Sequence, residues 1–310
     1  MKTLLIINPY SRSGKSAKLS EVCKGYLKER NFQFETAELQ NFDDAYKFSL
    51  EANRNGYDNI IALGGDGTIN KVINGFYDSV GNRISAAKFG VIYTGTSPDF
   101  CKSYGIPINI IKASITIINQ RTREIPVGMI KFKPSLNSDN YITNYFGCCA
   151  NIGLGASLAR KANSGIRKYF GDFGGTLISL LQLLVKYRGT NYTIVRDGTE
   201  VNEQNVINLS VGITNLIASG IKVPVKEDMA DSEMYLLTAA KIRLSNFAKL
   251  IYRVYSGKEF KNSEFLFLEY AKKIEIKQNS VHPEIEFDGD PAGYLPCTIE
   301  IAKDKLKIIY

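Results

Sequence analysis

The first 125 residues alternate short apolar runs with stretches whose apolar positions recur at helical spacing. Leu4 to Asn8, Phe32 to Thr36, Asn59 to Leu63 and Phe89 to Thr94 read as strands. Between them, Ser16 to Arg30 sets Leu19, Val22, Cys23, Tyr26 and Leu27 on one helical face. Asp43 to Asn55 reads as a second helix, closed by Gly56. This alternation predicts a doubly wound parallel sheet, whose ligands lie at the carboxyl ends of the strands. Loops leave such ends at Asn8-Pro9, at Gly64 to Thr68 and at Gly95 to Asp99, and all three are expected to converge on one crevice.

From about Glu124 the pattern changes. Strand-like runs follow at Val127–Phe132, Tyr141–Ala150, Tyr192–Asp197, Val206–Ile213, Met234–Ala239, Phe265–Leu268, Lys273–Lys277, Glu284–Phe287, Thr298–Ala302 and Leu306–Tyr310. Many short strands with few helices predict an antiparallel, sandwich-like unit. Gly155 to Tyr187 is its main helical insert, and Thr176–Val185 within it reads as an amphipathic helix, buried or facing a membrane. The expected fold class is α/β plus all-β. An N-terminal doubly wound parallel-sheet nucleotide-binding domain spans 1–125, and a C-terminal antiparallel β-sandwich-like domain spans 126–297.

Charge narrows the partners. The 310 residues carry a net charge of +8, which favours anionic partners such as nucleotides or acidic lipid surfaces. No basic cluster interleaved with aromatics supports a nucleic-acid partner. No apolar run reaches the ~18 residues that span a bilayer. Met1-Lys2-Thr3 leads straight into the first apolar run, without signal-peptide character, so a cytoplasmic setting is expected. Five cysteines without C-x-x-C spacing argue against disulfides or zinc and read as reduced core residues. The single histidine, His282, leaves no basis for a histidine triad.

The candidate chemistry centres on Ala62-Leu63-Gly64-Gly65-Asp66-Gly67-Thr68-Ile69-Asn70. A glycine turn between a strand and a helix aims backbone N–H groups at a phosphate. Asp66 sits in that turn, where a bare carboxylate repels phosphate; a metal ion or a proton-transfer role resolves the conflict. Two other loops read Asn8-Pro9-Tyr10-Ser11-Arg12-Ser13-Gly14-Lys15 and Gly95-Thr96-Ser97-Pro98-Asp99-Phe100. Further along stand an acidic turn, Asp228 to Glu233, and Asp288-Gly289-Asp290 after the alternating Glu284-Ile285-Glu286-Phe287. By itself, each of these last two is equally a solvated loop or a hairpin turn.

Together these segments resemble the diacylglycerol kinase catalytic domain family, the bacterial lipid kinases and sphingosine kinases, which share the Gly-Gly-Asp-Gly-Thr signature with NAD kinases. The resemblance runs along nearly the whole chain. It implies ATP-dependent phosphorylation of a lipid hydroxyl, most of all that of diacylglycerol, with the protein on the inner face of the membrane and able to form a homodimer. It implies nucleotide contacts at Asn8, Pro9, Ser11, Gly14, Gly64, Gly65, Asp66, Gly67, Thr68, Asn70 and Thr96. It further implies a catalytic magnesium organised by Asp66 and Asp99, with Asp288 or Asp290 taking the hydroxyl proton. A structural magnesium is implied at Asp228, Asp231 and the Glu233 carbonyl. Family members also return their last strands to the first domain, which implies the same for about 298–310.

The chain departs from the family pattern at several positions, five of them in the loops that matter to the site. Arg12 stands for glycine, Pro98 for asparagine, Pro126 for an aspartate at the domain junction, Ser232 for glycine and Asp290 for glutamate. Glu124 is the acidic residue nearest Pro126 that could substitute. These departures keep a catalytically weakened lipid- or nucleotide-binding protein of the same fold as an alternative. NAD kinase is a second alternative, against which stands the lack of its Asn-Glu and T-G-S-T-A-Y segments.

Overall fold

A computed structural model describes residues 1–12, 14–154, 156, 189–217, 221–240, 265–279, 282–288 and 290–310. Apart from Ala156, the expected helical insert at 155–187 lies outside the described residues, and so does Gly289.

The N-terminal part runs β1 (Thr3–Ile7), α1 (Lys15–Glu29), β2 (Glu35–Glu38), α2 (Asp44–Arg54), β3 (Asn59–Gly64), α3 (Asp66–Asn74), β4 (Lys88–Tyr93), α4 (Asp99–Ser103), α5 (Ile110–Asn119) and β5 (Thr122–Ile125). Its sheet has the order β2-β1-β3-β4-β18-β5, where β18 (Leu306–Ile309) comes from the far end of the chain. β18 lies parallel to β4, and β5 pairs antiparallel with β18. Successive strand residues point to opposite faces, and both faces are buried. Leu4, Ile6, Ile60, Ala62, Phe89 and Val91 pack with Ala52, Val72 and Phe76 of the α2–α3 side. Leu5, Ile7, Ile61, Leu63 and Ile92 pack with Cys23 and Leu27 of α1 and Ile117 of α5. That two-sided burial is why these strands read as continuous apolar runs.

Two local readings differ from the structure. Phe32 and Phe34 precede β2 instead of starting it. Asn31 turns left-handed (φ 54°) and the Phe32 N–H bonds the Leu27 carbonyl, so this pair closes α1 and packs against the core. The helix α5 escaped the sequence reading because its β-branched residues favour strands in isolation. Asn109 caps it, accepting from the Lys112 N–H at 3.1 Å.

The second sheet contains β6 (Gly128–Lys133), β7 (Ile142–Phe146), β8 (Cys149–Gly153), β9 (Thr190–Arg196), β10 (Thr199–Gly212), β13 (Met234–Ala240), β14 (Leu266–Ala271), β15 (Lys273–Ile276), β16 (Glu284–Phe287) and β17 (Asp290–Ile301). A hairpin, β11 (Leu216–Ile217) with β12 (Ile221–Lys222), stands apart. Every pairing in the second sheet is antiparallel. The long β10 pairs with β9 along its first half and lies between β8 and β13 along its second, so the sheet turns back on itself around one apolar core. The fold is thus a parallel sheet with helices followed by an antiparallel β-rich part, as the patterning predicts.

The expected single run Tyr141–Ala150 is broken into β7 and β8 at Gly147-Cys148. The break matters for the site, because it exposes three backbone N–H groups to the carboxylate of Asp288, just past β16. The two sheets meet nearby. Asn74 of α3 accepts from the Tyr145 N–H at 2.9 Å and donates back to the Tyr145 carbonyl at 2.9 Å, while Asn70 donates to the same carbonyl at 2.8 Å. Buried amides exchanging hydrogen bonds with backbone fix the relation of α3 to β7.

Candidate active site

The three loops predicted to converge do so. A side chain on Gly65 would come within 3.4 Å of the Ser11 hydroxyl and 3.3 Å of the Gly95 Cα, and one on Gly95 would strike the Tyr93 hydroxyl at 2.6 Å. Only glycine lets the ends of β3 and β4 approach this closely. The Ser16 and Thr94 hydroxyls share a hydrogen bond of 2.7 Å, tying the start of α1 to the third loop. Gly14, left-handed at φ 83°, turns the first loop into α1.

Several predicted nucleotide residues are engaged inside the protein. Asn8 donates to the Thr68 hydroxyl at 2.9 Å and accepts from the Tyr10 N–H at 3.1 Å; Asn8 and Thr68 are both buried. Gly64 makes room for Thr68, whose side chain would lie 2.5 Å from an added Cβ. Asn70, also buried, donates to Tyr145 and to Asp288. These three residues shape the turn from within. Pro9, Ser11, Gly14, Gly65, Gly67 and Thr96 remain at the accessible rim, Thr96 the most exposed at its loop tip alongside Gly14.

Three carboxylates stand around the amino end of α3. Asp66 begins that helix, and its Oδ2 accepts from the Tyr93 hydroxyl at 2.7 Å. Burial, together with the negative charges of Asp99 and Asp288, pushes Asp66 up to about 7, against the pull of the Tyr93 hydrogen bond. Asp99 is buried at the start of α4. Asp288, left-handed at φ 49°, accepts from four donors: the N–H groups of Gly147 (2.7 Å), Cys148 (3.0 Å) and Cys149 (3.3 Å), and the Asn70 amide (3.1 Å). Desolvation raises its pKa, and these donors oppose the rise. Asp290 opens β17, with its backbone opposite Phe287.

Tyr93 is a site residue that the sequence reading missed. Its only signal was an aromatic hydroxyl at the carboxyl end of a buried parallel strand. Burial and the neighbouring Asp66 push its pKa far up, so it remains a donor.

The acidic turn behaves differently. Asp231 pairs with Lys305 at 2.5 Å, and Glu233 pairs with Lys226 at 2.8 Å. Among the described residues no group of three or more His, Cys, Asp or Glu stands close enough to hold a metal ion, and this is as true of Asp66, Asp99 and Asp288 as of the acidic turn. Glu124, the candidate substitute at the junction, sits on β5 with Arg83 and Lys305 as charged neighbours, apart from the Asp66 group. All five cysteines are buried thiols, and His282 is exposed.

A glycine turn that opens a helix beside buried carboxylates, at the carboxyl end of a parallel strand, is a place suited to phosphate. The chain matches the diacylglycerol kinase catalytic domain over residues 2–130 and the YegS C-terminal NAD kinase beta sandwich-like domain over residues 150–310, and it belongs to the family these two domains define. It is 26% identical to the diacylglycerol kinase of Staphylococcus carnosus over 98% of this chain and 93% of that one. It is 29% identical to the diacylglycerol kinase of Bacillus subtilis, over 82% and 78%. A crystal structure of a diacylglycerol kinase from Bacillus anthracis superimposes with a TM-score of 0.70 at 22% identity, covering 100% of this chain and 96% of that one. By family, the chain is an ATP-dependent lipid kinase.

Proposed function

We propose that this protein transfers the γ-phosphate of ATP to the free hydroxyl of diacylglycerol or a closely related lipid, working from the inner membrane surface. The observation that carries the reading is Asp66. It lies at the amino end of a nine-residue helix, half-buried, with two further carboxylates raising its proton affinity.

Phosphoryl transfer needs positioning and charge neutralisation more than covalent chemistry. The N–H groups of the first turn of α3 have no partners within the helix and face the crevice edge, where the helix dipole favours phosphate. Ser11 and Thr96 border the same crevice. Asp66 and Asp99 offer oxygen donors only, which suits magnesium; with so few carboxylates the ion would keep several of its waters. When bound, magnesium supplies charge neutralisation for the phosphates, and it relieves the repulsion among Asp66, Asp99 and Asp288. Asp66 accepts one side-chain hydrogen bond, from the Tyr93 hydroxyl, which orients its carboxylate for such an ion. Asp288 has four donors and holds the Gly147–Cys149 turn against α3. Among the described residues no helix is long and apolar enough to cross a membrane. The net charge of +8 would favour anionic lipid surfaces.

The test is transfer of labelled γ-phosphate from ATP with magnesium to a lipid panel in mixed micelles, with NAD offered in parallel. Labelled diacylglycerol is the expected result. Labelled NAD, or nucleotide binding without any transfer, overturns the reading.

A further inference from the structure

An ionised carboxylate has two oxygens and about four lone-pair positions, and each one filled by a donor is closed to a substrate proton. At Asp288 they are filled in pairs. Its Oδ2 accepts from the Gly147 N–H at 2.7 Å and the Asn70 amide at 3.1 Å. Its Oδ1 accepts from the Cys148 N–H at 3.0 Å and the Cys149 N–H at 3.3 Å. The Asp288 N–H in turn donates to the Cys149 carbonyl at 3.1 Å. Half-buried and left-handed at φ 49°, the residue is turned onto these partners by its backbone, a conformation that Asp tolerates better than most residues.

The donors come from two parts of the molecule. Gly147 to Cys149 form the turn between β7 and β8 of the second sheet, whereas Asn70 stands on α3 of the first part, one helical turn after Asp66. The Asn70 amide group divides its hydrogens between Asp288 and the Tyr145 carbonyl, and its Oδ1 accepts from Asn74 at 3.2 Å. Asn74 also donates to the Tyr145 carbonyl at 2.9 Å, so that carbonyl does not depend on Asn70 alone. The bond from Asn70 to Asp288 is the one in this network with an ionised partner, and hydrogen bonds of that kind are about twice as strong as neutral ones. It ties the segment after β16 to the helix whose amino end carries Asp66 and the glycine turn.

We propose that Asp288 is a positioning residue and not the proton acceptor: through Asn70 it fixes the amino end of α3 against the second sheet, so that the two sides of the crevice keep one separation during phosphoryl transfer. The assignment rests on the lipid-kinase reading above. Of the two carboxylates that the family resemblance offers for the hydroxyl proton, it removes Asp288. A displacement of about 1 Å between reacting groups can lower a rate about a hundredfold. Loss of the link therefore acts on turnover more than on the binding of either substrate.

The experiment measures kcat, KM for ATP, KM for dioleoylglycerol in mixed micelles, and Tm, on the full-length chain with magnesium. Asp288→Asn keeps an acceptor for the Cys148 and Cys149 N–H groups but turns an amide toward Gly147 and Asn70. Its kcat is expected to fall about a hundredfold, with both KM values within about twofold of wild type. Adding Asn70→Asp rebuilds the link with donor and acceptor exchanged, and about tenfold of the loss should return. Asn70→Ala cuts the link while the Asp288 carboxylate and its charge stay in place; kcat should fall about tenfold at unchanged KM. No recovery in the double variant, or wild-type kcat in Asn70→Ala, overturns the assignment in favour of proton transfer by Asp288 itself. A raised KM for ATP in Asn70→Ala overturns it too, because Asn70 would then serve the nucleotide. So does a loss of kcat that only follows the loss of folded protein. If Asp288→Asn does not fold, Asn70→Ala decides by itself. A wild type that labels no diacylglycerol is the separate outcome in which the lipid-kinase reading fails, and this assignment with it.

Discussion

The molecule has two acidic turns, and it treats them in opposite ways. At the end of the first sheet, Asp66 meets Asp99 and Asp288 with a single hydroxyl donor of its own, and its proton affinity climbs to about 7. Just before β13, Asp231 and Glu233 each hold a lysine, and Glu233 lies below its ordinary pKa because the Lys226 ammonium bonds it. The residue types are the same. What separates them is whether burial and like charge leave an energetic debt that a ligand can settle. A carboxylate already matched by an ammonium in water gains little from a metal.

The sharpest way to break this comparison is Asp66→Asn. Phosphoryl transfer is expected to fall at least about a hundredfold, the scale seen when a group acting on developing charge is removed. Folding should respond with the opposite sign. Asp66 binds its proton more tightly folded than unfolded, so in metal-free protein the native state holds more protons between about pH 4 and pH 7. Its contribution to stability is fully present below the unfolded pKa and is lost as pH rises toward 7. The variant's Tm relative to wild type, measured with chelator, should therefore climb across that window and level off above it. A flat difference would mean that the carboxylate is not strained.

Arg12→Gly probes the rim of the same crevice. Arg12 occupies a left-handed conformation at φ 52°, where a side chain is disfavoured. Glycine there should stabilise the folded chain by about 1 kcal/mol or less, since relief of strain is partly offset by a more flexible unfolded chain. Chemical denaturation reads the change directly, and a loss of stability would show that the guanidinium makes a contact that outweighs the backbone.

The smallest effect is expected at the other turn. Lys305→Met removes the partner of Asp231, which is itself exposed, and Tm should barely move. Chelation should likewise leave Tm unchanged in the Asp66→Asn variant, where only the acidic turn could still hold an ion. A chelator-sensitive Tm that survives Asp66→Asn would return the acidic turn to the list of metal sites and erase the contrast.

Much of the parallel sheet was readable along the chain because both of its faces are buried, which writes unbroken apolar runs into β1, β3 and β4. The convergence of the three loops follows from that topology. Other features resisted for physical reasons. The Gly147-Cys148 break is hidden in a continuous apolar run, because the reason for the break is Asp288, 141 residues from Gly147. Asn8 and Thr68 bond each other and Asn70 bonds Tyr145 and Asp288, and spacing does not reveal which way an amide turns.

The chain alone determined the kinds of element, the glycine turn and the identity of Asp66 as its carboxylate. Those properties are local, set by side-chain period and by the backbone freedom of glycine. Tertiary structure alone decided which acids stand together, that Tyr93 bonds Asp66, and that Asp231 and Glu233 pair with lysines. Each of those depends on burial and on charges brought together from distant segments, and neither exists until the two sheets have closed on α3.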